Sequence, residues 1–481
     1  MGSWWRKTAA AVSLALVALQ VGCQTAAPIR PAADPARSLS MAALEAPIPP
    51  NFLWGVSTAG HQSEGGDTTS NWADWGRQGR LKEVAGRSVD FWNRYDEDFK
   101  LARGMGCTAF RMSIEWSRLE PRKGQWDEAA VAHYRAMLAS MRANGMEPVL
   151  TLSHWVMPAW VDNEGGWTNK DTVYRFLRFV DKVATDVAPN AKVWITFNEP
   201  NVWLPRDYLL GMMPPGKKGP FNLGRAARNV IRAHALAYDR LHEAIPGAMV
   251  SSNVYQILFG KGKPGVQPTA DDTSWVDTNW FYDAMLTGRM PGEMEPGERS
   301  WQVNVMGKMD YIAFDYYWTF NSINDMLHLH EPWGLGYDPD RLEKVLLEYH
   351  QQYGLPIFIA ENGMCTQDLQ PRRDGWTRET ALEATVKAMR RAMGRGAQVI
   401  GYSHWSLTDN YEWGSFSPRF GLFSVDCRHD PSLKRVPTPA VDAYRRIITG
   451  GSGTPAPVPA PVAGGAGALV QPARSIQTAR K

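Results

Sequence analysis

Eight short apolar, β-prone runs recur along the chain: Phe52–Ser57, Ala109–Ile114, Pro148–Leu152, Val193–Phe197, Met249–Val254, Tyr311–Tyr317, Ile357–Ala360 and Val399–Trp405. Each reads as a strand. Many of the intervals between them carry apolar residues at helical spacing. Behind Asp127, whose carboxylate suits an N-cap, Ala130, Tyr134, Met137, Leu138 and Met141 share one face, and Gly145 ends the segment. Behind Asp171, Val173, Phe176, Leu177 and Val180 do the same. Eight strands alternating with helices predict an α/β fold, a parallel (β/α)8 barrel of the TIM type in one domain. The competing arrangement is an open doubly wound sheet, which announces itself by a glycine-rich phosphate loop behind its first strand. Here Ser57 is followed by Thr-Ala-Gly-His-Gln-Ser-Glu-Gly-Gly, which is not such a loop.

Barrels of this type place reactive groups at the C-terminal ends of their strands. Polar residues of this chain collect there. Gln62 and Glu64 follow the first run; Arg111 to Glu115 and Trp116 close the second; His154 and Trp155 close the third. Asn198 and Glu199 close the fourth, Asp315 to Trp318 the sixth, Glu361 and Asn362 the seventh, His404 and Trp405 the eighth. Two strings stand out, Thr-Phe-Asn-Glu-Pro ending at Pro200 and Ile-Ala-Glu-Asn-Gly centred on Glu361. Each sets one glutamate at the end of an apolar run, and two carboxylates on two strand ends are what cleavage of a glycosidic bond requires.

Composition narrows the picture. The chain has 481 residues, 44% of them hydrophobic and 21% charged, which is ample for a large core. A formal charge of +3 is near neutral for this size and gives no argument for nucleic acid or an acidic partner. There are 21 tryptophans, several beside Asn, Glu or His. Any one of them is most simply bulky core. As a group they suit sugars, whose apolar C–H face stacks on an indole while the rim takes hydrogen bonds.

The termini read differently from the middle. Arg6 and Lys7 precede an apolar stretch from Ala9 to Gly22 and then Cys23, the layout of an export signal. That stretch falls short of the roughly 20 residues a membrane-crossing helix needs. Gly22 before Cys23 is similar to a bacterial lipoprotein cleavage site, although Gln20 stands where that pattern prefers a leucine-like residue; ordinary cleavage near Ala26-Ala27 is the alternative. The expected organisation is a signal peptide over 1–22, an Ala/Pro-rich tether over 23–48, a folded domain over 49–449 and a disordered Gly/Pro/Ala-rich tail over 450–481. It implies an exported protein of the bacterial cell envelope, anchored through a lipidated Cys23 or periplasmic. Cys107, Cys365 and Cys427 form neither a disulfide framework nor a zinc pattern.

The strings along residues 50 to 448 resemble glycoside hydrolase family 1, the β-glucosidase-type retaining glycosidases. In the family's order they are Phe-Leu-Trp-Gly-Val-Ser-Thr with Gln62 and Glu64, Phe-Arg-Met-Ser-Ile-Glu-Trp from Phe110, Thr-Leu-Ser-His-Trp from Thr151 and Glu-Gly-Gly-Trp from Glu164. Thr-Phe-Asn-Glu-Pro, Asp-Tyr-Tyr from Asp315, Ala-Glu-Asn-Gly, and Trp-Ser-Leu-Thr-Asp-Asn-Tyr-Glu-Trp from Trp405 follow. The resemblance implies that Glu199 is the general acid/base and Glu361 the nucleophile. Asn198 would bind the sugar 2-OH, and Arg111 and Tyr317 would sit against Glu361. Gln62, His154, Trp155, Trp405, Glu412 and Trp413 would form the sugar site, with Trp333 on the leaving-group side. It implies a carbohydrate or glycoside substrate and no metal or organic cofactor. Ordinary structural readings compete at single positions: Arg111 as the partner of any strand-end acid, His154 as a hydrogen-bonded core histidine.

The chemistry requires Glu199 protonated while Glu361 is ionised, so their surroundings must separate their proton affinities. A cation at Arg111 and a hydrogen bond from Tyr317 favour the charged form of Glu361, whose charge in turn raises the pKa of Glu199. Glu412 argues for unphosphorylated sugars, because a carboxylate accepts two hydroxyls and repels a 6-phosphate. The chain departs from the family at Asp315, where Asn usually precedes Tyr-Tyr, and an extra carboxylate there would raise both catalytic pKa values. Val156, the shortened run after Trp413 and the segment through Met212-Met213-Pro214-Pro215 also depart. The expected activity is that of a retaining exo-β-glycosidase. The alternatives are a transglycosylase using a lipid or glycan acceptor, and a non-catalytic sugar-binding lipoprotein.

Overall fold

The computed structural model describes residues 45–259, 279–288, 303–320 and 331–450. The expected signal peptide, Cys23, most of the tether and the tail past Gly450 lie outside the described residues. All eight predicted runs form strands: β1 Leu53–Ser57, β2 Ala109–Ser113, β3 Glu147–Ser153, β4 Val193–Asn198, β5 Met249–Tyr255, β6 Ile312–Tyr316, β7 Ile357–Asn362 and β8 Val399–Trp405. Neighbours pair in parallel from β1 round to β8, and β8 pairs back onto β1, so the sheet closes. Closure rules out the open doubly wound alternative.

A helix follows every strand: α1 Phe91–Gly104, α2 Glu128–Ala143, α3 Asp171–Lys182, α4 Pro220–Ala244, α5 Trp280–Thr287, α6 Arg341–Tyr353, α7 Arg378–Gly394 and α8 Pro439–Thr449. Asp127 caps α2 as expected, its carboxylate accepting from the N–H groups of Ala129 and Ala130 at 2.9 and 3.0 Å. Asp171 is the first residue of α3, where its charge meets the positive end of the helix dipole. Glu45 and Ala46, the first described residues, already touch Arg390 of α7.

The strands are buried on both faces, which is why they read as apolar runs rather than as strict alternations. Outward residues such as Phe110, Leu150, Trp194, Phe314 and Ile359 pack with Tyr134, Phe176, Ile231, Leu346 and Met389 of the helices. Inward residues form a separate plug: Leu53, Ala109, Val149, Val193, Ile195, Ala313, Phe358 and Ala360. The Phe358 ring fills the lumen so closely that a side chain at Gly401 would meet it at 2.6 Å. Outside the barrel, Arg435 donates from Nε and Nη2 to both oxygens of Asp98 at 2.9 Å, a buried pair that ties the chain entering α8 to α1.

Two local irregularities position the site. Between Ile195 and Asn198, β4 advances three residues while β5 advances two, from Ser251 to Asn253. Between Ile359 and Asn362, β7 carries one residue more than β8 does between Tyr402 and His404, and one more against β6 at Phe314 and Asp315. Strict alternation from the plug residues would send Phe197 and Asn362 inward. The extra residue in each strand reverses this, as bulges do. Phe197 joins the outer core, Asn198 and Glu361 enter the lumen, and Asn362 instead accepts from the Tyr402 hydroxyl at 2.8 Å.

Candidate active site

Above the plug, the inward positions turn polar. Arg111 continues the phase of Ala109 on β2 and is fully buried. Its Nη1 donates to Glu361 Oε1, its Nη2 to Asn198 Oδ1 at 2.7 Å, and its Nε to Thr151 Oγ1 at 3.1 Å. The Tyr317 hydroxyl donates to the other oxygen of Glu361 at 2.7 Å. With both oxygens accepting, Glu361 is clamped in one orientation by an arginine of β2 and a tyrosine that follows β6.

Glu199 follows β4 and caps a short helix, Pro200–Leu204, with φ +46°. Trp155 and Trp413 share this left-handed backbone at φ +66° and +47°. Such conformations cost a non-glycine residue about 1–3 kcal/mol and gather at functional sites. An oxygen from each of Glu199, Asp315 and Glu361 lies within 4.8 Å of the other two. All three residues are buried. Burial first, and then the charge of Glu361, hold the Glu199 carboxyl well above the usual carboxylate range.

Most of the expected sugar-contacting residues touch one another beside these acids. Gln62 Nε2 and Trp405 Nε1 each donate to a different oxygen of Glu412, both at 3.1 Å. Burial is the main cause that pushes the Glu412 carboxyl up to about 8. His154 stacks between Trp405 and Trp413 at 5.8 and 5.9 Å, and Trp155 stacks on Trp413 at 4.6 Å. His154 Nε2 faces the Asn198 amide nitrogen at 3.2 Å and must accept there, which leaves the proton on Nδ1. Burial first, then the Arg111 charge, holds this imidazole neutral. His154 Nδ1 and Gln62 Oε1 are both buried without a partner among the described residues. Buried polar atoms of this kind call for partners, and the hydroxyls of a sugar would supply them. Trp333 packs at the rim against the cluster of Tyr255, Tyr317, Phe320, Trp405 and Phe420.

Other strand-end polar residues go elsewhere. Glu64 accepts from Tyr134 at 2.9 Å and pairs with Arg118, while Glu115 accepts from Ser113 at 2.6 Å; they form a separate buried cluster. His404 faces the Phe420 carbonyl at 3.4 Å.

The sequence model of glycosyl hydrolase family 1 matches residues 44–331 and 315–451. The chain belongs to glycosyl hydrolase family 1. It is 28% identical to a β-galactosidase of Saccharolobus solfataricus, over 84% of this chain and 96% of that protein. It is 30% identical to a bifunctional β-D-glucosidase/β-D-fucosidase of Bifidobacterium breve, over 83% and 98%. Among solved structures it is similar to a β-glycosidase from Pyrococcus horikoshii, with a TM-score of 0.71, 28% identity and coverage of 83% and 94%. The protein is therefore a glycoside hydrolase of the family that the motifs resemble.

Two residues of this family 1 site escaped the strand-end reading. Asn253 on β5 donates from Nδ2 to Asn198 Oδ1 at 2.8 Å and also to Asp315 Oδ2, joining three strands. Its signal was the Ser-Ser-Asn interruption of an otherwise apolar run. Arg206, one helical segment beyond Glu199, lies over the Trp155 ring at 5.7 Å, and its charge acts on Glu199. Only the direction of the chain after Pro200 reveals it.

Proposed function

We propose that this family 1 enzyme is a retaining exo-β-glycosidase that hydrolyses O-linked β-glycosides of unphosphorylated, glucoside- or galactoside-like sugars. The observation that carries this reading is the approach of Glu199 and Glu361, with oxygens within 4.8 Å. Retaining enzymes hold their two carboxyls about 5–5.5 Å apart, whereas inverting ones leave about 6.5–9.5 Å for a water. In the first step Glu361 attacks the anomeric carbon while Glu199 protonates the departing oxygen. In the second, Glu199 takes a proton from water as that water displaces Glu361. Arg111 and Tyr317 aim the nucleophile, and Asn198 meets the sugar 2-OH.

Gln62, His154, Trp155, Trp405, Glu412 and Trp413 hold the glycone, and Trp333 borders the leaving group. The hydrogen-bond donors to the Glu412 carboxyl are Gln62 Nε2 and Trp405 Nε1, one to each oxygen. A 6-phosphate would meet a carboxyl there and, among the described residues, no cation bonded to it, which favours an unmodified O4/O6 edge.

A panel of nitrophenyl β-glycosides tests the reading, with NMR of the first-formed anomer. Turnover with retention that disappears in Glu361→Ala supports it. Full activity in that variant, or an inverted first product, overturns it. Adding an alcohol acceptor reports whether water or the acceptor takes the glycosyl group, and glycan binding without turnover would make the protein a lectin on an enzyme fold. We also infer export and lipid anchoring at Cys23, supported by Arg6, Lys7 and the apolar run to Gly22. Mass spectrometry of the mature N-terminus checks this: an unacylated start near Ala26 would refute the anchoring, and an uncleaved leader the export.

A further inference from the structure

Asp315 is where this chain departs most pointedly from its family resemblance, and the departure falls inside the reaction centre. It lies on β6 with no exposed surface. Its Oδ2 accepts from Asn253 Nδ2, while its Oδ1 is buried and has no donor among the described residues. An oxygen of Asp315 shares the 4.8 Å cluster with oxygens of Glu199 and Glu361. The facing donors are already committed. Arg111 and Tyr317 serve Glu361, and Asn253 serves Asp315. For the Asp315 and Glu199 carboxyls to meet, a proton must lie between them, since two carboxylates only accept.

We propose that Asp315 is a positioning residue that shares a hydrogen-bonded proton with Glu199, so that the acid–base step of this enzyme is run by a carboxyl pair. The proposal rests on Glu199 being the acid/base of the proposed function. Charge counting supports it. Arg111 is the guanidinium that acts on all three carboxyls, whereas Arg206 answers Asp207 first and Glu199 second; against Arg111 alone, three ionised carboxyls would leave two net negative charges at this buried centre. One proton held by the pair reduces this to a single negative charge. That single charge then persists through the cycle. When the pair's proton passes to the glycosidic oxygen, the C–O bond breaks with its electrons on that oxygen, and Glu361 loses its charge by forming the ester. When water attacks, its proton returns to the pair and Glu361 regains its charge.

The groups facing Asp315 from each neighbouring element fit this count. They are Glu361 on β7, Glu199 after β4, Arg111 on β2, Tyr255 and Asn253 on β5, Tyr317 after β6 and Tyr282 on α5. Burial raises all three tyrosines well above their ordinary range, so they stay neutral. Arg206 faces Glu199 from its other side. Burial, then the charges of Glu361 and Glu199, raises Asp315 well above the usual carboxylate range. A like charge beside Glu199 makes it a weaker acid toward the leaving group and a stronger base toward water.

The isosteric variant Asp315→Asn keeps an acceptor oxygen and removes the charge. Its alkaline limb of kcat/KM against pH should move down by about one to three pH units relative to the natural enzyme. An unmoved limb, in a variant that still turns over, overturns the pairing. Independently, carbon NMR of the full natural chain labelled at Asp and Glu carboxyls, with the Asp315 and Glu199 signals assigned, should show those two carboxyls titrating with a common midpoint. That arm decides the matter even if the variant does not fold: an Asp315 carboxyl that titrates in the ordinary aspartate range, or apart from Glu199, sinks the proposal. If Glu361→Ala keeps full turnover, the functional reading itself has failed, whatever the Asp315 profile shows.

Discussion

The change Glu361→Gln isolates one charge and should be felt at Glu199 without any change of shape. Oxygens of the two side chains approach within 4.8 Å. At an effective dielectric constant of about 20, two unit charges at that separation interact by about 3.5 kcal/mol. Divided by about 1.36 kcal/mol per pH unit, this is a shift of about 2.5 units in the proton affinity of the Glu199–Asp315 pair. Removing the charge of Glu361 therefore lowers the midpoint at which the pair releases its proton by about two to three pH units. Burial is the same in both proteins. Arg111, freed from its partner, acts in the same direction. Carbon NMR of chains labelled at glutamate and aspartate carboxyls reads the midpoint directly in the natural enzyme and the variant. Formation of the glycosyl ester removes the same charge, so the measured shift is also the change that converts Glu199 from acid to base. A midpoint that stays within about half a unit would mean that Glu361 does not act electrostatically on Glu199, and the two-role assignment would fall.

Glu199→Gln should lower kcat/KM for alkyl β-glycosides by about 10²–10⁴-fold and for a dinitrophenyl glycoside by less than about tenfold, because an activated leaving group needs no proton. Equal losses across a leaving-group series would remove Glu199 from the proton transfer. Burial, then the charge of Glu64, pushes the buried carboxyl of Glu115 up to about 8 from an ordinary 4.5. Its folded pKa is raised, so its contribution to stability is fully present below the unfolded value of 4.5 and is lost as pH rises through about 8. The slope reaches up to about 1.4 kcal/mol per pH unit in that window. Glu115→Gln should flatten it in urea unfolding followed across pH, and an unchanged slope would refute the attribution. Arg435→Leu strands the buried carboxylate of Asp98 and should cost about 3–5 kcal/mol, seen as a lower Tm, with partial recovery in the double variant Asp98→Asn/Arg435→Leu. A loss under about 1 kcal/mol would place that pair among the weak surface bridges.

Much of this was legible before any coordinates. The eight runs became the eight strands because the apolar content of a doubly covered strand is a local property, readable over five or six residues. The same holds for the Asp127 cap and for the two glutamate strings. Boundaries slipped where chemistry replaced hydrophobicity: β7 extends through Glu361 and Asn362, past the apolar run that announced it. Glu64 and Glu115 looked equivalent to the other strand-end acids, yet Arg118 and Tyr134 draw Glu64 into a separate cluster with Glu115. Nothing in local spacing distinguishes an acid that turns into the barrel mouth from one that turns behind it.

By itself, then, the order of residues determined the repeating strand–helix scheme, the closed barrel it favours and the two glutamates that stand at strand ends. Only the tertiary structure decided how those acids meet. One additional residue in β4 and another in β7 swing Asn198 and Glu361 inward, and Asn253 bridges strands whose residues are 55 and 62 positions apart. The approach of Asp315 to Glu199, with oxygens within 4.8 Å, is likewise a matter of three-dimensional packing. Strand periodicity has a period of two, so a single inserted residue reverses which face a side chain occupies, and proton affinity depends on charges brought close through space rather than along the chain.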